Sequence, residues 1–383
     1  MTQTHIAING FFWDKPTVGV GQYLHGLVGA LAMLPDLKLT LYIPADATPL
    51  TAPAGVTLTK LRSPFAGRSK KMQKVVFEQL SVPAAARLDK VDLIHVPYFA
   101  PPLSSRVPVV TTIPDLIPIT RSAYRGSLSI RTYTALVRRA AHHSVRIITI
   151  SQAVAQQVTN VLGRPASSID VTYLAADPIY QPTGMSVALR ATYDLPDHYV
   201  YYVGGYDERK NIPTLLRAYA ALPEALRTQF PLVLAGRAAG TNPTLFPDID
   251  GLITQLGIGS TVRRIDVPRT DNPALYSGAT CFVYPSCDEG FGLPPLEAMA
   301  CGTAVIAARA ASIPEVVGAA AHLVDPVDVA GWTAALLAVL TDNDLRNRLQ
   351  RAGTERAGQF SYGQTAAATR AVYLRALGRE GDA

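Results

Sequence analysis

The apolar positions of this chain come in short, nearly unbroken runs. Each run leads into a glycine- or proline-rich stretch and then into a segment with helical spacing. The first series of runs covers 5–12, 37–43, 56–61, 91–96, 109–113, 145–151 and 169–174. The second covers 199–203, 232–235, 261–267, the run ending at Tyr284, and 303–308. An uncharged β-branched run such as Val-Val-Thr-Thr-Ile at 109–113 predicts a central parallel strand, buried on both faces. Helical spacing recurs over 22–34, 70–80, 126–143, 153–162, 212–222, 329–340, 343–360 and 362–377. Pro83 is expected to stop the helix at 70–80, and Ser151 to cap the one at 153–162. Repeated strand–loop–helix units predict an α/β fold of doubly wound, Rossmann-like sheets. Periodicity breaks over 181–197, where proline, glycine and serine collect. This divides the chain into 1–185, 186–361 and a last helical segment, 362–383.

The totals narrow the class. With 383 residues, each of two domains can bury its own core. A composition 48% hydrophobic and 17% charged excludes a disordered chain, and no apolar run reaches the ~18 residues that span a bilayer. The first residues lack a charged segment followed by an apolar one, so the expectation is a cytoplasmic protein. Cys281, Cys287 and Cys301 have no paired spacing and no adjacent histidine, which argues against zinc and for reduced thiols. Part of the net charge of +6 gathers at Lys60, Arg62, Arg68, Lys70, Lys71 and Lys74, and at Arg121, Arg125, Arg131, Arg138 and Arg139. Such clusters suit peripheral contact with an anionic membrane or a phosphorylated lipid at the inner face of the cell membrane. Nucleic acid fits poorly, because no aromatic-interleaved basic motif is present.

The densest chemistry lies at 283–306, VYPSCDEGFGLPPLEAMACGTAVI. A strand ends at Tyr284, and Glu289 follows on a loop. Gly290 and Gly292 flank Phe291, and two prolines open a helix whose first turn is expected to hold Glu297. Backbone N–H groups near Gly292 and Leu293, at a positive helix end, would attract an anion such as phosphate. Two acids around an anion hole suit a ligand that is both hydroxylated and phosphorylated, as a nucleotide sugar is. Gly204-Gly205 followed by Arg209-Lys210 builds a second anion site between a strand and a helix. In the first half, Gly19 and Gly21 open a helix after the first strand. Position 24 is leucine, so a dinucleotide fingerprint is incomplete, and a tight turn explains the glycines equally well. His95 sits at a strand end, where α/β ligands bind, although a core histidine has the same pattern. Ser312 and Glu315 have the spacing of a capping box.

The segment Glu289-Gly290-Phe291-Gly292-Leu293-Pro294-Pro295-Leu296-Glu297 resembles the E-x7-E signature of retaining glycosyltransferases of family 4, in particular bacterial mannosyltransferase-like members. The resemblance is strongest over 202–326 and continuous over 77–177. It implies the GT-B fold, two Rossmann-like domains facing across a cleft, with a last helix that crosses back in relatives. It also implies a nucleoside-diphosphate sugar donor, a glycan, lipid-linked or small-molecule acceptor, and no metal or other cofactor. By the same analogy Arg209 and Lys210 hold the diphosphate with Gly204 and Gly205 beside them, Glu289 accepts from sugar hydroxyls, and Glu297 accepts from ribose hydroxyls. Gly19, Gly21, His95 and Ser151 line the acceptor side or the cleft, and Asp115 counts with Arg209, Lys210 and Glu289 among the catalytic residues. One departure stands out: relatives carry histidine before Asp115, whereas this chain has Pro114, which has neither a side-chain donor nor an N–H. A sugar-nucleotide-binding protein that kept the fold and lost catalysis is therefore the alternative. A paired-carboxylate hydrolase would need two acids flanking one bond, roughly 5–9 Å apart.

Overall fold

The computed structural model describes residues 3–48, 51–65, 69–126, 128–238, 240 and 242–379. Arg68 and the chain ends at 1–2 and 380–383 lie outside them. Two compact units emerge: Met1–Leu174 with Ser361–Ala383, and Ala175–Phe360. Among the described residues each unit is built on one all-parallel sheet.

In the first unit the strands are β1 (Thr4–Asn9), β2 (Leu37–Pro44), β3 (Val56–Leu61), β4 (Leu93–Val96), β5 (Val109–Ile113), β6 (Arg146–Thr149) and β7 (Ile169–Val171), in the order β3-β2-β1-β4-β5-β6-β7. In the second they are β8 (Val200–Val203), β9 (Leu232–Ala235), β10 (Val262–Ile265), β11 (Cys281–Tyr284), β12 (Val305–Ala308) and β13 (His322–Val324), in the order β10-β9-β8-β11-β12-β13. Parallel neighbours require a crossover, and the helices read from the sequence supply it. The uncharged runs are the most buried: every residue of β5, β9, β11 and β12 is shielded from solvent. Cys281 and Cys301 are buried thiols and Cys287 is half-buried, all three unpaired with one another.

Three local readings differ from expectation. The segment 175–185 belongs with the second unit rather than the first, because Tyr180 and Met185 pack on that unit's core. Pro83 does not end a helix: Lys70–Val76 passes through a π turn, Phe77–Ser81, into the helix Val82–Leu88, whose first turn holds Pro83. The backbone stays helical through Ser81 and Val82, so Pro83 removes one ladder bond, and the π turn lies directly before it. The Ser312 hydroxyl makes no cap bond to the helix Ile313–Val317 and instead reaches the carbonyls of Glu289 and Phe291 at 2.9 and 2.7 Å.

The last helix, Tyr362–Ala376, opens with a capping box between Ser361 and Gln364 and completes the first unit. Arg370 pairs with Asp36 at 2.6 Å, Arg375 with Asp170 at 2.7 Å, and the Thr365 hydroxyl donates to the Tyr173 carbonyl at 2.7 Å.

The two glycines after β1 have different reasons to be there. Both lie in the first turn of the helix Gly19–Leu31. A Cβ on Gly21 would stand 1.9 Å from the Lys15 carbonyl oxygen, whereas one on Gly19 would meet nothing within 4 Å. Gly21→Ala should therefore cost about 2 kcal/mol or more in urea unfolding, and Gly19→Ala should be neutral or raise stability by roughly 0.5 kcal/mol. Equal effects of the two changes would contradict this packing.

Candidate active site

In the second unit β8 and β11 are neighbours from which the strand order runs outward in opposite directions. Ligands of such sheets bind at that switch point, beyond the carboxyl ends of the strands. The loops leaving these two strands carry the candidate residues. After β8, Gly204 has φ +156° and its carbonyl lies where a Cβ on Gly236 would sit, 2.0 Å away. Gly205 is half-buried beside it. A 3₁₀ turn, Glu208–Lys210, then leads through Asn211, φ +55°, into the helix Ile212–Ala220.

Backbone and amide bonds stitch the loops together. The Cys287 N–H donates to the Arg209 carbonyl at 2.7 Å, and the Asn211 amide donates to the carbonyls of Pro285 (3.2 Å) and Pro326 (2.6 Å). Asn211, a departure from the β region at a helix start, is thereby a structural rivet.

Glu289 is the centre of the cluster. Its Oε1 accepts from Lys210 Nζ at 2.6 Å, the Ser286 hydroxyl at 2.5 Å and the Tyr284 hydroxyl at 2.8 Å, while its Oε2 pairs with Arg209 at 3.0 Å. Lys210 also donates to the Tyr284 hydroxyl at 2.7 Å, and Arg209 pairs with Asp207 at 2.9 Å. Burial alone would raise the Glu289 pKa, but the charges of Lys210 and Arg209 and their hydrogen bonds bring it down to about 2. Burial lowers Lys210 more than Glu289 restores it. Arg209 is held above its ordinary value because Glu289 and Asp207 outweigh burial. The analogy had placed the cations and this acid on different parts of a donor; the structure brings all three together.

Glu297 belongs to a different network. The helix begins at Leu293 after Gly292, φ +112°, and ends at Ala300, so Glu297 falls beyond the first turn rather than within it. Two prolines and the leucine fill that turn. Glu297 is 7% exposed and accepts from the Tyr276 hydroxyl at 3.1 Å. Burial raises its pKa to about 7, against the opposing pull of the Tyr276 hydrogen bond, Arg269 and Tyr180. Arg269 pairs with Asp177 at 2.8 Å and lies over the Tyr180 ring at 5.7 Å. The acids thus sit in chemically opposite pockets, one cationic and one phenolic. Between them Phe291 turns inward, edge-on to Phe360 at 5.9 Å, and Gly290 and Leu293 stay half-buried. Tyr284, Ser286, Asp207, Tyr276, Tyr180 and Arg269 escaped the sequence reading. Only Tyr284, polar at the end of an apolar strand, gave a signal there.

The first-unit candidates are placed individually. His95 is a core residue: it is fully buried, its Nε2 2.9 Å from the Thr112 hydroxyl and its Nδ1 2.7 Å from the Tyr373 hydroxyl. Burial lowers its pKa to about 3, so it is neutral. Ser151 is buried and caps the helix Gln152–Leu162 through the Val154 N–H at 3.1 Å. Asp115, half-buried after β5 and Pro114, accepts from the Ile117 N–H at 3.1 Å.

With this geometry in view, two family models match the chain: glycosyl transferases group 1 over residues 191–356, and glycosyltransferase family 4 over residues 18–179. The chain belongs to the family 4, group 1 glycosyltransferases. Among its relatives in this family, the O-antigen chain mannosyltransferase B of Escherichia coli is 34% identical over 261 residues, 66% of each chain. The serotype-specific mannosyltransferase WbdA of Escherichia coli is 30% identical over 66% of this chain and 31% of its own. The match therefore spans just under two thirds of the first and about a third of the second. Anabaena HepE, solved with UDP-glucose, superposes with a TM-score of 0.72 at 20% identity, covering 96% of this chain and 100% of its own, and shares the GT-B fold.

The two carboxylates predict opposite responses to pH. Glu289, held below its ordinary 4.5, contributes stability that is present above pH ~4.5 and lost as pH falls toward 2. Glu297, raised above 4.5, burdens the fold increasingly as pH rises through 7. Glu289→Gln should destabilise by about 3–5 kcal/mol at pH 7, since it leaves a buried ammonium without its counter-charge. Relative to wild type, Glu297→Gln should be more favourable at pH 8 than at pH 5. Chemical denaturation at the two pH values checks both, and a pH-independent Glu297→Gln effect would refute the second.

Proposed function

We propose that this protein is a retaining glycosyltransferase that moves a hexose, mannose first among candidates, from a nucleoside-diphosphate sugar to a hydroxyl of a glycan, lipid-linked or small-molecule acceptor in polysaccharide biosynthesis. The observation that carries the reading is the Arg209–Lys210–Glu289 cluster at the switch point of the second sheet. The mannosyltransferase relatives support the sugar, and the UDP-glucose held by HepE supports the donor class.

The mechanism follows from charge balance. Arg209 and Lys210 are already matched by Asp207 and Glu289, so a donor diphosphate must compete with Glu289 for them. Once its oxygens are released, Glu289 can accept from sugar hydroxyls, and the two cations stabilise charge developing on the departing diphosphate. Glu297, with its phenolic partners, faces the weaker demand of ribose hydroxyls. The acceptor oxygen attacks on the face the diphosphate leaves, its proton passing to a diphosphate oxygen, so the anomeric configuration is kept without an enzymic nucleophile. Protein cations fill the part a divalent ion would otherwise play, and transfer should survive chelation by EDTA. No helix of the described residues is long and apolar enough to cross a membrane. The exposed side chains of Lys60, Arg62, Lys70 and Lys71 suit peripheral contact with anionic lipid.

A thermal-shift screen of GDP-, UDP- and dTDP-sugars should find one that stabilises wild type, by about 2.7 kcal/mol at 100 times its Kd. Arg209→Ala and Lys210→Ala should weaken that ligand about 10-fold or more, and Glu289→Gln should cut transfer about 100-fold or more. Near-normal turnover in these variants would overturn the assignment. Donor binding without turnover on any acceptor would favour the catalytically silent alternative.

A further inference from the structure

One oxygen of Glu289 carries more bonds than charge balance requires. Asp207 and Glu289 already match Arg209 and Lys210, and Lys210 reaches Oε1 directly at 2.6 Å. Two hydroxyls converge on the same oxygen, Ser286 at 2.5 Å and Tyr284 at 2.8 Å, whereas Oε2 pairs with Arg209. The carboxylate is therefore held unevenly. Oε1 has one cation and two neutral donors, and Oε2 has a cation.

Tyr284 ends β11, and its Cα pairs with that of Ala307 in β12. Its ring is fully buried, stacked on Phe282 at 5.9 Å and on Tyr202 at 6.5 Å, tilted 23° and 21° from them. A strand and two aromatic neighbours thus fix where the hydroxyl stands. Burial, reinforced by the Glu289 charge, raises the phenol far above its ordinary range, so it keeps its proton. That single proton goes to Glu289, and the oxygen accepts from Lys210 at 2.7 Å. The Lys210 ammonium also lies 5.0 Å from the ring centre. The hydroxyl touches both members of an ion pair that closes without it. Ser286 is fully buried as well. Glu289 Oε1 is the nearest oxygen to its hydroxyl, and the carbonyls of Arg209 and Asp288 lie farther off at 3.2 and 3.5 Å.

Beside an intact ion pair such a hydroxyl adds little. Beside an opened pair it matters, because a buried carboxylate without its counter-charge depends on whatever donors remain. When a diphosphate draws Lys210 and Arg209 toward itself, Oε2 gives up its guanidinium, while Oε1 still has Ser286 and Tyr284. The uneven arrangement then has a use.

Resting on the transferase reading, we propose that Tyr284 is a positioning residue for donor binding: its hydroxyl, together with that of Ser286, holds Glu289 Oε1 once Lys210 has passed to the diphosphate, and leaves Oε2 as the oxygen offered to the donor. Tyr284 acts through Glu289 and Lys210 and not by touching the donor. Only hydrogen-bond partners are exchanged, and no covalent bond changes.

Calorimetry on the full chain with GDP-mannose, UDP-glucose and dTDP-glucose tests this. For whichever binds wild type, Tyr284→Phe, which keeps the ring, should weaken affinity about 10-fold. Its unliganded urea midpoint should stay close to wild type, because Lys210 and Ser286 still bond Oε1. The deciding measurement is a double-mutant cycle. In Lys210→Ala the oxygen meets the same donors before and after binding, so adding Tyr284→Phe should cost about 2-fold or less. An equal loss in both backgrounds overturns the proposal. So does a Tyr284→Phe protein with a lowered urea midpoint and unchanged donor affinity, the mark of a purely structural hydroxyl. Should Lys210→Ala fail to fold, Ser286→Ala decides: it removes the other neutral donor and should weaken the donor about 10-fold, and unchanged affinity overturns the proposal. Wild type binding none of the three sugars would overturn the transferase reading and this inference with it, whereas failure of the cycle with donor bound leaves that reading standing.

Discussion

One buried carboxylate ties the second unit's central loops together. Glu289 joins the loop after β11 to the loop after β8 through Arg209 and through Lys210, which lies 79 residues away along the chain. Without that bond two cations would be held close to one another in a poorly solvated place. Without the cations the carboxylate would be protonated or displaced. The mutual requirement makes the cluster a joint that is fixed only as a whole. Under the proposed function it would also leave that joint responsive, because a donor diphosphate could take over the cations and free the carboxylate. The same bonds thus hold these loops together and, under the proposed function, would meet the donor.

The neighbouring acid shows how far environment overrides residue type. Glu289 and Glu297 are chemically identical and eight positions apart, yet one meets ammonium and guanidinium and the other meets phenols. A helix starting at Leu293 turns Glu297 toward Tyr276 and the inner face of the unit, while Glu289 stays on the loop.

Much of this was legible in the chain. The uncharged runs gave the sheets, and β5 was read with its observed bounds, because parallel strands covered on both faces admit few polar residues. Gly204 and Gly292 marked where the backbone takes a positive φ. What the sequence hid was pairing across distance. No local pattern says that Arg209 meets Glu289, that Ser312 leaves its own helix to hold the Glu289 loop, or that His95 is enclosed by Thr112 and Tyr373. The π turn at Phe77–Ser81 was equally hidden, since it keeps helical spacing nearly intact and the helix runs on through Pro83.

The return of Tyr362–Ala376 to the first unit sets an order on biosynthesis. Ala175–Phe360 is an unbroken stretch that contains the whole of its own core. The earlier-made unit still lacks Arg370, Arg375 and Thr365, the partners of Asp36, Asp170 and the Tyr173 carbonyl, until the helix Tyr362–Ala376 has been made. Nascent chains stalled shortly after Phe360 would hold a finished second unit beside an unfinished first one, a state in which chaperone capture falls on the half translated first.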